Sequence, residues 1–112
     1  MSFSQFTQKD YEVIARNYAE LKEAAKKRCA GEQELDVVQK AFDFANEAHK
    51  NVRRRSGEPY MLHPIAVAKI VVNDIGLGYK SISAALLHDV VEDTDYTVDD
   101  IRHLFGDKIA SL

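Results

Sequence analysis

Apolar residues in this chain recur at spacings of three and four and almost never alternate with polar ones for long. That rhythm commits the backbone to helices, because 3.6 residues per turn gathers such positions on one face, whereas a half-buried strand needs a period of two. From Thr7, an N-cap candidate with Asp10 three residues on, Tyr11, Ile14, Tyr18, Leu21 and Ala25 keep the helical spacing as far as Arg28 to Gly31. In the next segment Leu35, Val38, Phe42 and Ala45 share a face that Val37, Ala41, Phe44 and Ala48 widen. That width predicts a helix buried on two sides.

Breakers are few, and they cut the rest into helix-length pieces. Residues 52 to 62, with three arginines and then Ser56-Gly57-Glu58-Pro59, read as a loop. Pro64 suits a first helical position, and Ile65 to Ile75 is apolar nearly all round, as an interior helix stopped by Gly76 would be. Ser81 is expected to cap a fourth helix from Ile82 to about Asp93. Thr97 and Asp100 open a short fifth one carrying Ile101, Leu104 and Phe105 before Gly106. The expected class is all-α, one domain over residues 1–112, with a leading helix in 1–31 and the core of the fold in 32–112. A chain of 112 residues can bury one ordinary core and not two.

With 15 Lys+Arg against 18 Asp+Glu, the chain lacks the global positive field that draws a protein to nucleic acid regardless of sequence. A single cysteine, Cys29, excludes an internal disulfide framework and a zinc site built from several cysteines. That usage suits a reducing compartment, so the cytoplasm is the expected location. No run approaches the roughly 18 apolar residues of a membrane span, and the opening residues show no signal-peptide pattern. The expectation is a soluble, unprocessed chain that contacts neither membrane nor nucleic acid.

Chemistry concentrates in His88-Asp89-Val90-Val91-Glu92-Asp93-Thr94. Imidazole with carboxylate, and no thiolate nearby, suits a borderline-to-hard divalent ion such as manganese, iron or zinc. Adjacent helical residues stand about 100° apart, so His88 and Asp89 converge only on an ion at the edge of their shared face. A third ligand must come from another segment. Glu92 and Asp93 lie one turn below His88 and Asp89 and project into the same space. The alternative is an exposed acidic helix end, which the macrodipole disfavours. His63, beside Pro64, could be a packed surface ring, and gains meaning only alongside His88 and Asp89.

Arg53-Arg54-Arg55-Ser56-Gly57 is a concentrated positive loop whose guanidinium forks match phosphate and can stack on a base, although a solvated basic loop has the same composition. Lys26-Lys27-Arg28 reads as charge complementing a helix C-terminus, and His49 as a cation in a similar place. His103 reads as structural or solvent-facing, and Cys29 as a small, partly buried side chain.

Taken together, Arg55-Ser56-Gly57-Glu58-Pro59-Tyr60, His63-Pro64-Ile65-Ala66-Val67-Ala68 and Ala84 to Thr94, in this order and spacing, resemble the HD-type hydrolase domain of RelA/SpoT homologues, from about Leu35 to Leu112. The resemblance implies an HD-domain-like helical bundle that removes the 3′-pyrophosphate of the alarmone (p)ppGpp with manganese, giving GDP or GTP and pyrophosphate. It implies that His63, His88 and Asp89 are metal ligands and that Glu92 and Asp93 orient or deprotonate the attacking water. Arg54, Arg55 and Ser56 correspond to the loop that holds the guanine nucleotide. The intact HD and ED pairs match the hydrolase-competent branch.

In that family a fourth metal ligand, an aspartate, and a nucleotide-contacting asparagine lie in a later helix, and a synthetase domain follows. The expectation is therefore the N-terminal part of a bifunctional hydrolase/synthetase of the GTP pyrophosphokinase family, acting in the stringent response and incomplete at its C-terminus. By itself it would have weak metal affinity, little turnover and a tendency to self-associate through Ile65–Val72 or Ile101–Phe105. Two other readings stay open: a non-catalytic nucleotide-binding or regulatory helical module, and an HD phosphohydrolase of another nucleotide.

Overall fold

The computed structural model describes residues 2–112. In chain order these form β1 (Ser2–Phe3), α1 (Gln8–Lys26), α2 (Glu32–Ala48), β2 (Val52–Arg53), α3 (Leu62–Ile70), α4 (Tyr79–Asp93), α5 (Val98–Phe105) and α6 (Asp107–Ala110). The all-α expectation holds. No helix among the described residues is long and apolar enough to cross a membrane.

Both capping boxes form as the sequence predicts. The Asp10 amide donates to Thr7 Oγ1 and the Thr7 amide donates to the Asp10 carboxylate, closing the first turn of α1, and Thr97 with Asp100 does the same for α5. Ile14, Tyr18, Leu21 and Ala25 line the buried face of α1, where the Tyr18 ring stacks on Phe42 of α2 at 3.8 Å between centroids. α2 buries Val38, Ala41, Phe42 and Ala45 and packs Leu35, Val37, Phe44 and Ala48 partly against the core, as its broad stripe requires. Its most extensive interface is with α4, which buries Ile82, Ser83, Leu86, Leu87 and Val90. α3 packs against α4 from another side, so α4 stands between two helices.

Several boundaries differ from the sequence expectation. α4 begins at Tyr79, with Gly78 rather than Ser81 at its N-cap, because the partly buried Tyr79 packs on the core and draws the helix back. Pro64 is the third residue of α3, still within the first turn, where a missing N–H costs no helical bond. The apolar run from Ile65 is not buried all round. Ile65, Ala68 and Val72 are buried, whereas Ile70 and Ile75 are 50% and 60% exposed. Its last residues, Val71–Ile75, form a π-helical turn, which Gly76 ends in the left-handed region at φ 75°. After Gly106 the chain forms α6, which the sequence reading lacked, and Ile109 on it is buried.

Residues 52 to 62 are more ordered than a loop composition suggests. β1 and β2 pair antiparallel, Ser2 opposite Arg53 and Phe3 opposite Val52. Asn51, in the left-handed region at φ 63°, accepts the Phe6 amide on its side chain at 2.8 Å. Arg53 donates to the Gln5 and Gly57 carbonyls, both at 2.9 Å, and to Asp10 at 2.6 Å. Arg53 is thus a structural clamp.

Two outcomes follow. Leu86 is completely buried on α4, so Leu86→Ala lowers the unfolding free energy by about 2–5 kcal/mol in a urea titration. The Arg53 guanidinium, with the Thr7 amide, holds the Asp10 carboxyl down at about 2 from 3.8. The unfolded chain then takes up this proton first, so the clamp's contribution is complete above pH 3.8 and is lost as pH falls toward 2. The thermal midpoint of wild type should fall more steeply over that window than that of Asp10→Asn.

Candidate metal and nucleotide site

Because α4 turns Leu86, Leu87 and Val90 into the core, the residues between them face outward. His88, Asp89 and Glu92 each offer a ligand atom, and these atoms lie within 4.8 Å of one another. The shortest link is His88 Nδ1 to Asp89 Oδ1, 3.3 Å. The ligand from another segment that the helix geometry requires comes from the first turn of α3, which brings His63 Nε2 to 3.8 Å from Asp89 Oδ2. Asp89 is therefore the hub, one oxygen toward each histidine. It is also the least exposed of the three, at 15% against 65% for His88 and 41% for His63.

A nitrogen-and-carboxylate donor set at these separations fits a divalent ion that prefers N and O ligands. The site opens on a cleft of about 410 Å³ lined by His63, Val67, Ser81, Ala84, His88 and Asp89. A smaller cleft of about 190 Å³ lies past His88 and Glu92, toward α5 and α6. Apolar walls beside a few convergent polar groups are typical of small-molecule sites.

Glu92 and Asp93 part company. Glu92 belongs to the His88–Asp89 group, whereas the Asp93 carboxylate lies 3.9 Å from His49 Nε2. His49 is not the cation at a helix end that the sequence suggested. It is 1% exposed, and burial pushes its pKa below the ordinary value despite the nearby Asp93 and Asp89. Its Nδ1 lies 3.1 Å from the Ala45 carbonyl, which can only accept, so Nδ1 carries the hydrogen and the lone pair of Nε2 faces Asp93. Nε2 is buried without a hydrogen-bond partner.

Arg54, Arg55 and Ser56 are exposed at the tip between β2 and α3. Arg54 stands 3.9 Å from Glu58, and Gly57 takes φ 98° to turn the tip. Among the described residues no hydrogen bond or ion pair joins residues 54–56 to His63, His88 or Asp89. Tyr60, quoted in the sequence only as part of a motif, and His49, read there as a helix-end cation, both face carboxylates of α4. Tyr60 OH donates to Asp89 Oδ2 at 3.0 Å, and burial with this bond pushes the phenol pKa up. The available signal was its place three residues before His63. Cys29 is half-buried as expected, and burial raises its thiol pKa.

Residues 41–112 match a family described as the HD domain. The chain is 42% identical over 80 residues, 71% of its length, to a guanosine-3′,5′-bis(diphosphate) 3′-pyrophosphohydrolase of Aquifex aeolicus (strain VF5), covering 11% of that protein. It is 44% identical over 81 residues, 72% of its length, to the bifunctional (p)ppGpp synthase/hydrolase SpoT of Escherichia coli (strain K12), covering 11%. A probable guanosine-3′,5′-bis(diphosphate) 3′-pyrophosphohydrolase of Synechocystis sp. (strain ATCC 27184 / PCC 6803 / Kazusa) is 49% identical over 76 residues, 68% of the chain and 10% of that protein. The chain thus spans about a tenth of the length of the curated relatives it matches.

His49 gives the site a pH signature. Its folded pKa lies below the unfolded value of 6.5, so the neutral buried ring contributes stability above pH 6.5 that is lost as pH falls. Between about pH 7 and 5 the thermal midpoint should fall more steeply for wild type than for His49→Gln. Equal slopes would show that the ring takes up its proton without penalty.

Proposed function

This chain belongs to the HD domain family, and on that premise we propose that it carries the metal-binding and nucleotide-holding part of a (p)ppGpp 3′-pyrophosphohydrolase. The observation that carries the reading is Asp89 set between His63 and His88, with Glu92 beside them. The names of the relatives supply the substrate class, a guanosine nucleotide with 3′-phosphates. A single half-buried cysteine suits action in the cytoplasm.

In this reading His63, His88 and Asp89 hold a divalent ion, for which manganese matches the mixed imidazole and carboxylate set. When bound, such an ion lowers the pKa of water and neutralises phosphate charge. The chain's own groups do the rest. Arg54 and Arg55 grip a phosphate or stack on the guanine, with Ser56 offering a hydroxyl at the same exposed tip. Glu92 and Asp93 orient the attacking water and accept its proton. The water oxygen joins the phosphorus attached to the ribose 3′ oxygen, the bond between them breaks, pyrophosphate departs and the 3′ oxygen takes up a proton. Val67 and Ala84 form an apolar wall of the cleft beside these groups.

Thermal-shift titration with ppGpp tests the proposal: stabilisation should require manganese and vanish in Asp89→Ala. Stabilisation by ppGpp irrespective of metal would instead mark a nucleotide-binding module without catalysis. In the whole protein that carries this chain, Asp93→Asn should slow pyrophosphate release by about a hundredfold or more. A rate within a few-fold of wild type would remove Asp93 from proton transfer.

A further inference from the structure

We infer that Tyr60 is the positioning residue of this site, fixing Asp89 through its phenol and His63 through its backbone so that groups from two helices meet in one register. The inference rests on the metal-site reading above and adds a residue to it.

The phenol reaches 29 residues along the chain to donate to Asp89 Oδ2 at 3.0 Å. A carboxylate turns easily about its last torsion. With Oδ2 held by Tyr60, Oδ1 is left toward His88, and a turn of the group would break that bond and both histidine approaches.

Tyr60 is itself held firmly. Its amide donates to the Val52 carbonyl at 2.8 Å, and its flanking residues Pro59 and Met61 are buried. The His63 amide donates to the Tyr60 carbonyl at 2.9 Å, so the turn that aims the phenol also starts the helix that bears His63. The ring neighbours two imidazoles, His49 at 5.0 Å and His63 at 5.9 Å between centroids. The rival account is a ring kept only for packing, and it assigns the hydroxyl no task.

Tyr60→Phe separates the two, because it keeps the ring and removes only the donor. The probe is Mn²⁺ alone, with free ion followed by electron paramagnetic resonance and fold by circular dichroism. Groups that orient metal ligands typically contribute about 10- to 100-fold in affinity. The expected result is therefore unchanged helix content and melting with Mn²⁺ affinity at least about tenfold weaker. Affinity within about twofold of wild type overturns the inference alone. Wild type that takes up no Mn²⁺ overturns the metal-site reading, and this inference with it. A second measurement needs no Tyr60 variant: with tyrosine labelled at Cζ, the Tyr60 hydroxyl proton should exchange slowly with water in metal-free wild type and fast in Asp89→Ala. Fast exchange in wild type would overturn the inference whatever the Phe variant does.

Discussion

The rotation of α4 about its axis is the constraint on which the rest depends. Ile82, Leu86, Leu87 and Val90 are buried against its neighbours, and each such side chain contributes about 1.5–3 kcal/mol by leaving water. A slip of one residue would turn the helix by about 100°, expose part of this set and carry a charged group inward, at a cost of several kcal/mol. The two effects reinforce each other and leave a single orientation. Core packing alone already carries His88 and Asp89 to the edge of a cleft, and the Tyr60 hydrogen bond then fixes the Asp89 carboxylate there.

That arrangement gathers three carboxylates in the last turns of a helix, the end where the macrodipole repels them. The surrounding groups offset the repulsion differently for each. Asp89 receives a phenol hydrogen bond and has two imidazole neighbours, whereas Asp93 faces the lone pair of neutral His49 and gains no such offset. Glu92 joins the His88–Asp89 group from the solvent side. Two carboxylates that look equivalent as a sequence pair therefore have different neighbours.

What could be read from sequence was what is local. The boxes at Thr7–Asp10 and Thr97–Asp100 close over three residues, and the burial stripe of α2 is periodic, so both were legible. Where helix ends depend on distant packing, as at Tyr79 or α6, spacing gave no warning. The β1–β2 ribbon escaped notice because two-residue strands are too short to show alternation. Three successive arginines look alike in composition, yet contacts more than 40 residues away take Arg53 out of the pool available to a ligand. In the same way His63, His88 and Asp89 were recognisable as motifs, whereas the role of Tyr60 exists only through a contact across the fold.

The ribbon and its clamp also set the entropy of the arginine tip. Between Arg53 and Pro59, which bridge one another, the Arg54 amide donates to the Glu58 carbonyl at 2.9 Å and the Gly57 amide to the Arg54 carbonyl at 2.8 Å, while the Arg53 side chain holds Gly57. Fixing a backbone residue costs about 1–2 kcal/mol, and here that ordering precedes any encounter. An anion arriving at Arg54 and Arg55 has only side-chain rotamers left to freeze. Ser2 to Asp10, far from the HD residues along the chain, thus govern how preorganised this basic tip is.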